Sequence, residues 1–203
     1  MQYTQIDLYV LGILWSIGSP TEDRYPYFYL RHRDRYFFDV VREALNLNIP
    51  TSVFVRESLT RLQYKLKVYN FDISKLTQYG WQPRLSEQRN YPNITEHVDF
   101  IRAYFELHSA LDTTTIRKLS KERTSPRLRI YGNQHFLGRL TEILSEQVKI
   151  TPKCVQMATR LSESSGILYY QSRLELEKLL AYLYPPDLPY FHKEYYNHYR
   201  SML

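Results

Sequence analysis

The hydrophobic and polar positions of this chain run through the same series of patterns twice. Tyr27–Phe37 reads YFYLRHRDRYF and Arg127–Leu137 reads RLRIYGNQHFL. At an offset of 100 positions Phe28 meets Leu128, Leu30 meets Ile130 and Tyr36 meets Phe136. Both stretches alternate, which predicts a strand, and both then change to helical spacing, as FFDVVREALNL and as FLGRLTEILSEQV. Further along, Phe71–Pro83 (FDISKLTQYGWQP) and Leu174–Pro186 (LELEKLLAYLYPP) share one order of residue types, and each predicted helix stops at its proline. A candidate hairpin precedes each: Ser52–Arg56 with Gln63–Tyr69, and Cys154–Arg160 with Gly166–Gln171.

A third pair lies at the head of each half. Val10–Gly18 reads VLGILWSIG and Ile101–Ser109 reads IRAYFELHS. Each is an apolar helix with a small residue in third place, Gly12 and Ala103, and small residues let two helix axes approach closely. Their separation of 91 is shorter than the other offsets, which predicts a longer loop in the second half, at Asp112–Ser125. Each half then reads helix, hairpin, helix, hairpin, helix. The expected class is α+β, with one repeat over residues 1–90, a second over 91–186, and a C-terminal tail over 187–203. Pro185, Pro186 and Pro189 break the preceding helix, and in the tail a short aromatic helix carries Phe191, Tyr195 and Tyr199 on one stripe, expected to pack back on the body, with a partner or dimer surface as the alternative.

A helix reading VLGILWSIG, followed by a basic aromatic strand and repeated once, resembles the LAGLIDADG homing endonucleases, over about Ile6 to Pro186. The resemblance implies two αββαββα repeats related by a pseudo-twofold axis. Gly12 and Ala103 then meet at the central helix–helix contact, and two curved sheets straddle the DNA major groove. In that family each motif ends in an acid before its last glycine, and the two carboxylates hold divalent metals that activate water. The corresponding positions here are Ile17 and His108. Isoleucine coordinates nothing, and histidine is a poor ligand for Mg²⁺, which takes oxygen donors. The final glycine is kept as Gly18 and replaced by Ser109 in the second motif. The implied protein binds duplex DNA without cutting it, with no metal or cofactor, and Ile17 and His108 are vestigial. A shifted acid set drawn from Glu22, Asp23, Glu106 and Asp112 is the alternative, an active nuclease.

Charge sharpens this picture. The net charge is +6. The windows Arg24–Tyr36, Arg56–Lys67 and Ala110–Ile130 together carry ten more basic than acidic residues, so the rest of the chain is net acidic. Affinity for duplex comes largely from neutralised phosphates, so basic charge gathered on predicted hairpins points to nucleic acid. Alternation assigns the faces. Phe28 and Leu30 face the helices, leaving Tyr27, Tyr29, Arg31 and Arg33 outside. Leu62, Tyr64, Leu66 and Val68 face in, and Gln63, Lys65, Lys67 and Tyr69 face out. Leu128 and Ile130 face in, with Arg127, Arg129 and Tyr131 outside. Arg56, Arg61, Arg117, Lys118, Lys121 and Arg123 complete the expected DNA-binding set. Arg and Gln can pair with base edges, while Lys more often meets phosphate.

Other chemistry is thin. The one cysteine, Cys154, permits no intramolecular disulfide. The apolar run Leu8–Trp15 has no Lys or Arg before it and is too short for a bilayer, so it is expected to be a buried helix. These features fit a cytoplasmic protein with no membrane partner, associated with the nucleoid if the cell is bacterial. No His/Cys pair has zinc spacing, and the six glycines form no phosphate loop. The reading is a monomeric, sequence-specific DNA-binding regulator of transcription derived from a homing endonuclease. Besides the active nuclease, an RNA-binding intron splicing helper and a protein-interaction module stay open.

Overall fold

In a computed structural model the described residues are 6–21, 27–56, 61–83, 86, 88–118, 121–158 and 164–203, with the side chains of 54–56, 61, 116–118 and 121–123 outside the description. The first half runs α1 (Leu8–Ile17), β1 (Gly18–Pro20), β2 (Tyr27–His32), α2 (Tyr36–Ala44), β3 (Ser52–Arg56), β4 (Arg61–Tyr69) and α3 (Ser74–Thr77). The second runs α4 (Val98–His108), β5 (Ser109–Lys118), β6 (Lys121–Asn133), α5 (Gln134–Val148), β7 (Gln156–Met157), β8 (Ser165–Tyr170) and α6 (Arg173–Leu183), and α7 (Lys193–Ser201) follows. The αββαββα order thus occurs twice. Each half makes one four-stranded antiparallel sheet, ordered β1-β2-β4-β3 and β5-β6-β8-β7. The chain gathers into two compact units, residues 1–86 with 92–107, and 87–91 with 108–203. Helix α4 therefore belongs with the first unit, and α7 lies within the second.

Within the first unit α1 is buried on nearly every side, eight of its ten residues being inaccessible. An all-round apolar sequence of this length belongs in a core. Asp7 caps it, its carboxylate accepting from the backbone N–H of Tyr9 and Val10 at 2.9 and 3.1 Å, a cap contribution of about 1 kcal/mol. Two glycines permit its packing. A Cβ on Gly12 would stand 2.7 Å from the Ala103 Cβ and 2.8 Å from the Phe100 carbonyl oxygen on α4. A Cβ on Gly18, where α1 turns directly into β1, would run into the Phe28 ring. Trp15 meets Phe100 edge-on at 5.8 Å, and Phe28 and Leu30 of β2 and Leu66 and Val68 of β4 complete the floor.

In the second unit α5 and α6 cover the sheet through Phe136, Leu137, Leu140, Leu144, Leu176, Leu179 and Leu183, over Leu128, Ile130, Leu168 and Tyr170. Tyr199 of α7 is buried, and its hydroxyl lies 2.7 Å from the Ser109 Oγ. The tail does pack back, although its ring cluster joins Tyr184, Phe191 and Tyr196, with Tyr195 set against Tyr199.

Four expectations need correction. Asp112–Ser125 is not a loop: most of it is the paired hairpin of β5 and β6, and the β-branched run Thr113–Ile116 is good strand material. The helix expected over Phe71–Pro83 shrinks to Ser74–Thr77, where Asp72 caps the turn and Gly80 at φ 81° ends it. Leu62 has the parity of Leu66 but is 55% exposed, as is Val53 across the sheet, so this end of β3–β4 reaches beyond the helices that cover the rest. Arg33 is exposed as expected, but from the bend before α2 and not from β2, which ends at His32.

Candidate nucleic-acid interface

The outward face of the first sheet is set by register. Tyr27 stands opposite Tyr69, Tyr29 opposite Lys67, and Arg31 opposite Lys65, while Ser19 of β1 and Ser52 of β3 extend the same rows. Neither β2 (YFYLRH) nor β4 (RLQYKLKVY) contains an acid. The cations lie over the rings: Lys65 Nζ is 4.9 Å from the Tyr29 centroid and 5.5 Å from that of Tyr27, Lys67 Nζ is 5.0 Å from Tyr27, and the Arg31 guanidinium is 5.5 Å from Tyr29. Such contacts hold long basic side chains against the sheet. Gln63 is half-buried on the same face.

The corresponding face of the second sheet carries Arg127, Arg129 and Tyr131, all half-buried, with Tyr169 opposite Arg129. Here an acid intervenes. Asp112 accepts from Arg127 Nε and Nη2 at 2.9 and 3.0 Å and from Arg129 Nη2 at 2.6 Å. The Arg127 hydrogen bonds, working against desolvation and joined by the Arg129 and Arg127 charges, hold the Asp112 carboxyl below the usual carboxylate range. A shallow cavity of about 380 Å³ beside this pair is lined by Arg127, Lys153, Gln156, Tyr169, Gln171, Ser172 and Glu175. The sequence alone makes Asp112 no more than a spare acid. Its role depends on the β5–β6 register, which local pattern does not reveal.

Of the remaining expected contacts, the side chains of Arg56, Arg61, Arg117, Lys118, Lys121 and Arg123 lie outside the described residues. The strand register sets positions 118, 121 and 123 in phase with Arg127 and Arg129, and position 117 in phase with Leu111.

The positions where the family's motif has acids end their helices: Ile17 is the last residue of α1 and His108 the last of α4. Of the spare acids, Glu22 and Asp23 lie outside the described residues. Glu106 is buried and accepts a short hydrogen bond from the Tyr9 hydroxyl, and Asp112 is engaged by two guanidinium groups. Burial, then the Glu106 charge, push the Tyr9 phenol far up, so it keeps its proton at any ordinary pH. Neither Ile17 nor His108 offers the oxygen donor that a hard divalent cation takes. Among the described residues no group of three or more His, Cys, Asp or Glu is arranged to hold a metal, and no helix is long and apolar enough to cross a membrane. Replacing Tyr9 with Phe removes the phenol donor from a buried carboxyl and is expected to lower stability by about 1–3 kcal/mol. Urea denaturation measures it, and an unchanged midpoint would mean that Glu106 does not depend on Tyr9.

No protein-family profile matches the sequence, and no curated relative matches it. Solved structures do. The LAGLIDADG homing endonuclease I-LtrWI, bound to target DNA, superposes with a TM-score of 0.64 at 11% identity, over 97% of this chain and 89% of that one. I-SmaMI, bound to an uncleaved DNA target with calcium ions, gives 0.61 at 10% identity over 96% and 88%. The LAGLIDADG meganuclease I-AabMI, bound to uncleaved DNA, gives 0.60 at 10% identity over 96% and 88%. Identity this low speaks for architecture alone, and on that ground the chain has the α+β fold of the LAGLIDADG homing endonucleases, with its αββαββα unit present twice.

Proposed function

We propose that this chain binds double-stranded DNA without cutting it, as a monomeric, sequence-reading regulator in the cytoplasm. The observation that carries the binding is the first sheet's outward face, where Arg31, Lys65 and Lys67 alternate with Tyr27, Tyr29 and Tyr69 on two strands with no acid. A basic, gently amphipathic β-surface suits a phosphate-lined groove. The structural neighbours bound to DNA support the same use of the fold. Cleavage is argued against by residue type. An in-line attack on phosphate needs metal-held water and balanced charge, and Ile17 and His108 supply neither a carboxylate nor its charge. Tyr69, exposed on this face beside the half-buried Tyr27 and Tyr29, also suits stacking on unpaired bases, the mode by which RNA loops are recognised. Structured RNA is therefore the second reading.

The test is a gel shift of purified protein with a duplex DNA library, duplex RNA and folded RNA at two salt concentrations, followed by incubation with Mg²⁺ or Mn²⁺. Salt-sensitive retention of duplex DNA with intact strands is expected. Tighter binding of folded RNA would favour the second reading, and site-specific nicks abolished by EDTA would overturn the non-cleaving one.

A further inference from the structure

The two sheets present their positive charge differently. On the first the cations rest on tyrosine rings, and β2 and β4 hold no carboxylate. On the second, one carboxylate grips two arginines. Asp112 stands directly opposite Arg127 across β5 and β6, and Arg129 is next but one along the strand, opposite Ala110. The small Ala110 side chain leaves room for Arg129 to lean back to Asp112. The three resulting hydrogen bonds, at 2.9, 3.0 and 2.6 Å, use both carboxylate oxygens. The Arg129 guanidinium is further flanked by the Tyr131 ring at 5.9 Å.

The donors left over matter most. Arg127 spends its Nε–Nη2 edge on Asp112. A guanidinium is planar and rigid, so fixing one edge fixes the direction of the other, the Nη1–Nη2 fork. That fork is the donor pair that fits the O6 and N7 acceptors of guanine in the major groove. Phosphate contact needs no such orientation, because a mobile cation serves as well. An acid on a nucleic-acid surface repels phosphate and weakens general affinity. What it returns is direction, because the same pair that lowers the local charge fixes the plane of the guanidinium.

The geometry points to Asp112 as a positioning residue that makes Arg127, with Arg129 beside it, a reader of guanine, so that the second sheet discriminates sequence while the first supplies general affinity. This rests on the duplex-binding reading above.

The experiment enriches a randomised duplex DNA library on wild-type protein, then measures wild type, Asp112→Asn and Arg127→Lys on the enriched duplex, on versions with single guanines replaced, and on unrelated duplex. For wild type, replacing one guanine should cost roughly tenfold in affinity or more, the range of one bidentate arginine–guanine contact. Asp112→Asn keeps the size but removes the charge. It should bind unrelated duplex tighter than wild type while its preference for that guanine falls roughly tenfold. Arg127→Lys should lose the same preference with its salt dependence unchanged, since the charge is kept. Misfolding cannot imitate the first result, because a damaged protein does not gain affinity. Full guanine preference in Asp112→Asn, or parallel loss on all duplexes, overturns the assignment alone. A wild-type protein that enriches no duplex overturns the binding proposal, and this one with it.

Discussion

Changing Arg31, Lys65 and Lys67 together to alanine should weaken binding to unrelated duplex DNA on the order of a hundredfold at moderate salt, and flatten the salt dependence by about 2.7 in the logarithmic slope, at about 0.9 for each phosphate no longer neutralised. The three side chains occupy neighbouring positions on β2 and β4, and the register puts Arg31 against Lys65 and Lys67 against Tyr29, so one groove wall could meet all of them. A control separates position from total charge. Arg139, Arg173 and Lys178 are exposed on α5 and α6, and the first two pair with Glu142 and Glu177 on their own helices. Their triple alanine variant removes the same charge from the helical side of the second sheet. It should lose far less affinity and keep most of the slope. Equal losses in the two variants would mean that the first sheet is not the interface.

The second large effect is on stability. In an exposed helix, Gly→Ala stabilises by about 1 kcal/mol. At Gly12 the sign should reverse, because the new methyl would sit 2.7 Å from the Ala103 Cβ and 2.8 Å from a backbone oxygen of α4. Overpacking of this kind costs about 1–3 kcal/mol, and Gly12→Val should cost more, since a β-branched side chain cannot turn away from its neighbours there. At roughly 2–4 °C per kcal/mol for a chain of this size, Gly12→Ala lowers the melting temperature by a few degrees and Gly12→Val by considerably more. Adding Ala103→Gly to Gly12→Ala removes one side of the clash, so the double variant should be more stable than the two single losses combined would give. Simple additivity would show that the two helices do not meet at these residues.

How far the residues announced this structure depended on the range of the interaction. Period-two burial is local, and Phe28, Leu30, Leu128 and Ile130 all lie on the covered face as their alternation requires. The all-apolar run of α1 and its small residues were equally plain, since a helix without a polar face has nowhere to go but the core. Turn-dependent features were not. The polar threonines of β5 resemble a loop until they are seen paired with β6. The Asp112 bonds to Arg127 and Arg129 span 15 and 17 positions and exist only in one register, and Tyr9 meets Glu106 across 97. Leu62 carries the right parity, yet parity cannot say where the covering helices stop.

The bond between Tyr199 and Ser109 joins the last helix to the first residue of β5, 90 positions upstream. Contacts of such long range are slow to form because the intervening chain must be ordered before they return any free energy. During synthesis, the first sheet has all its strands once residue 69 has emerged, whereas the second unit acquires its latch only after Tyr199 has done so. The two halves share an architecture but not a timetable: the second waits, with the buried place of Tyr199 unfilled, until α7 arrives to close it.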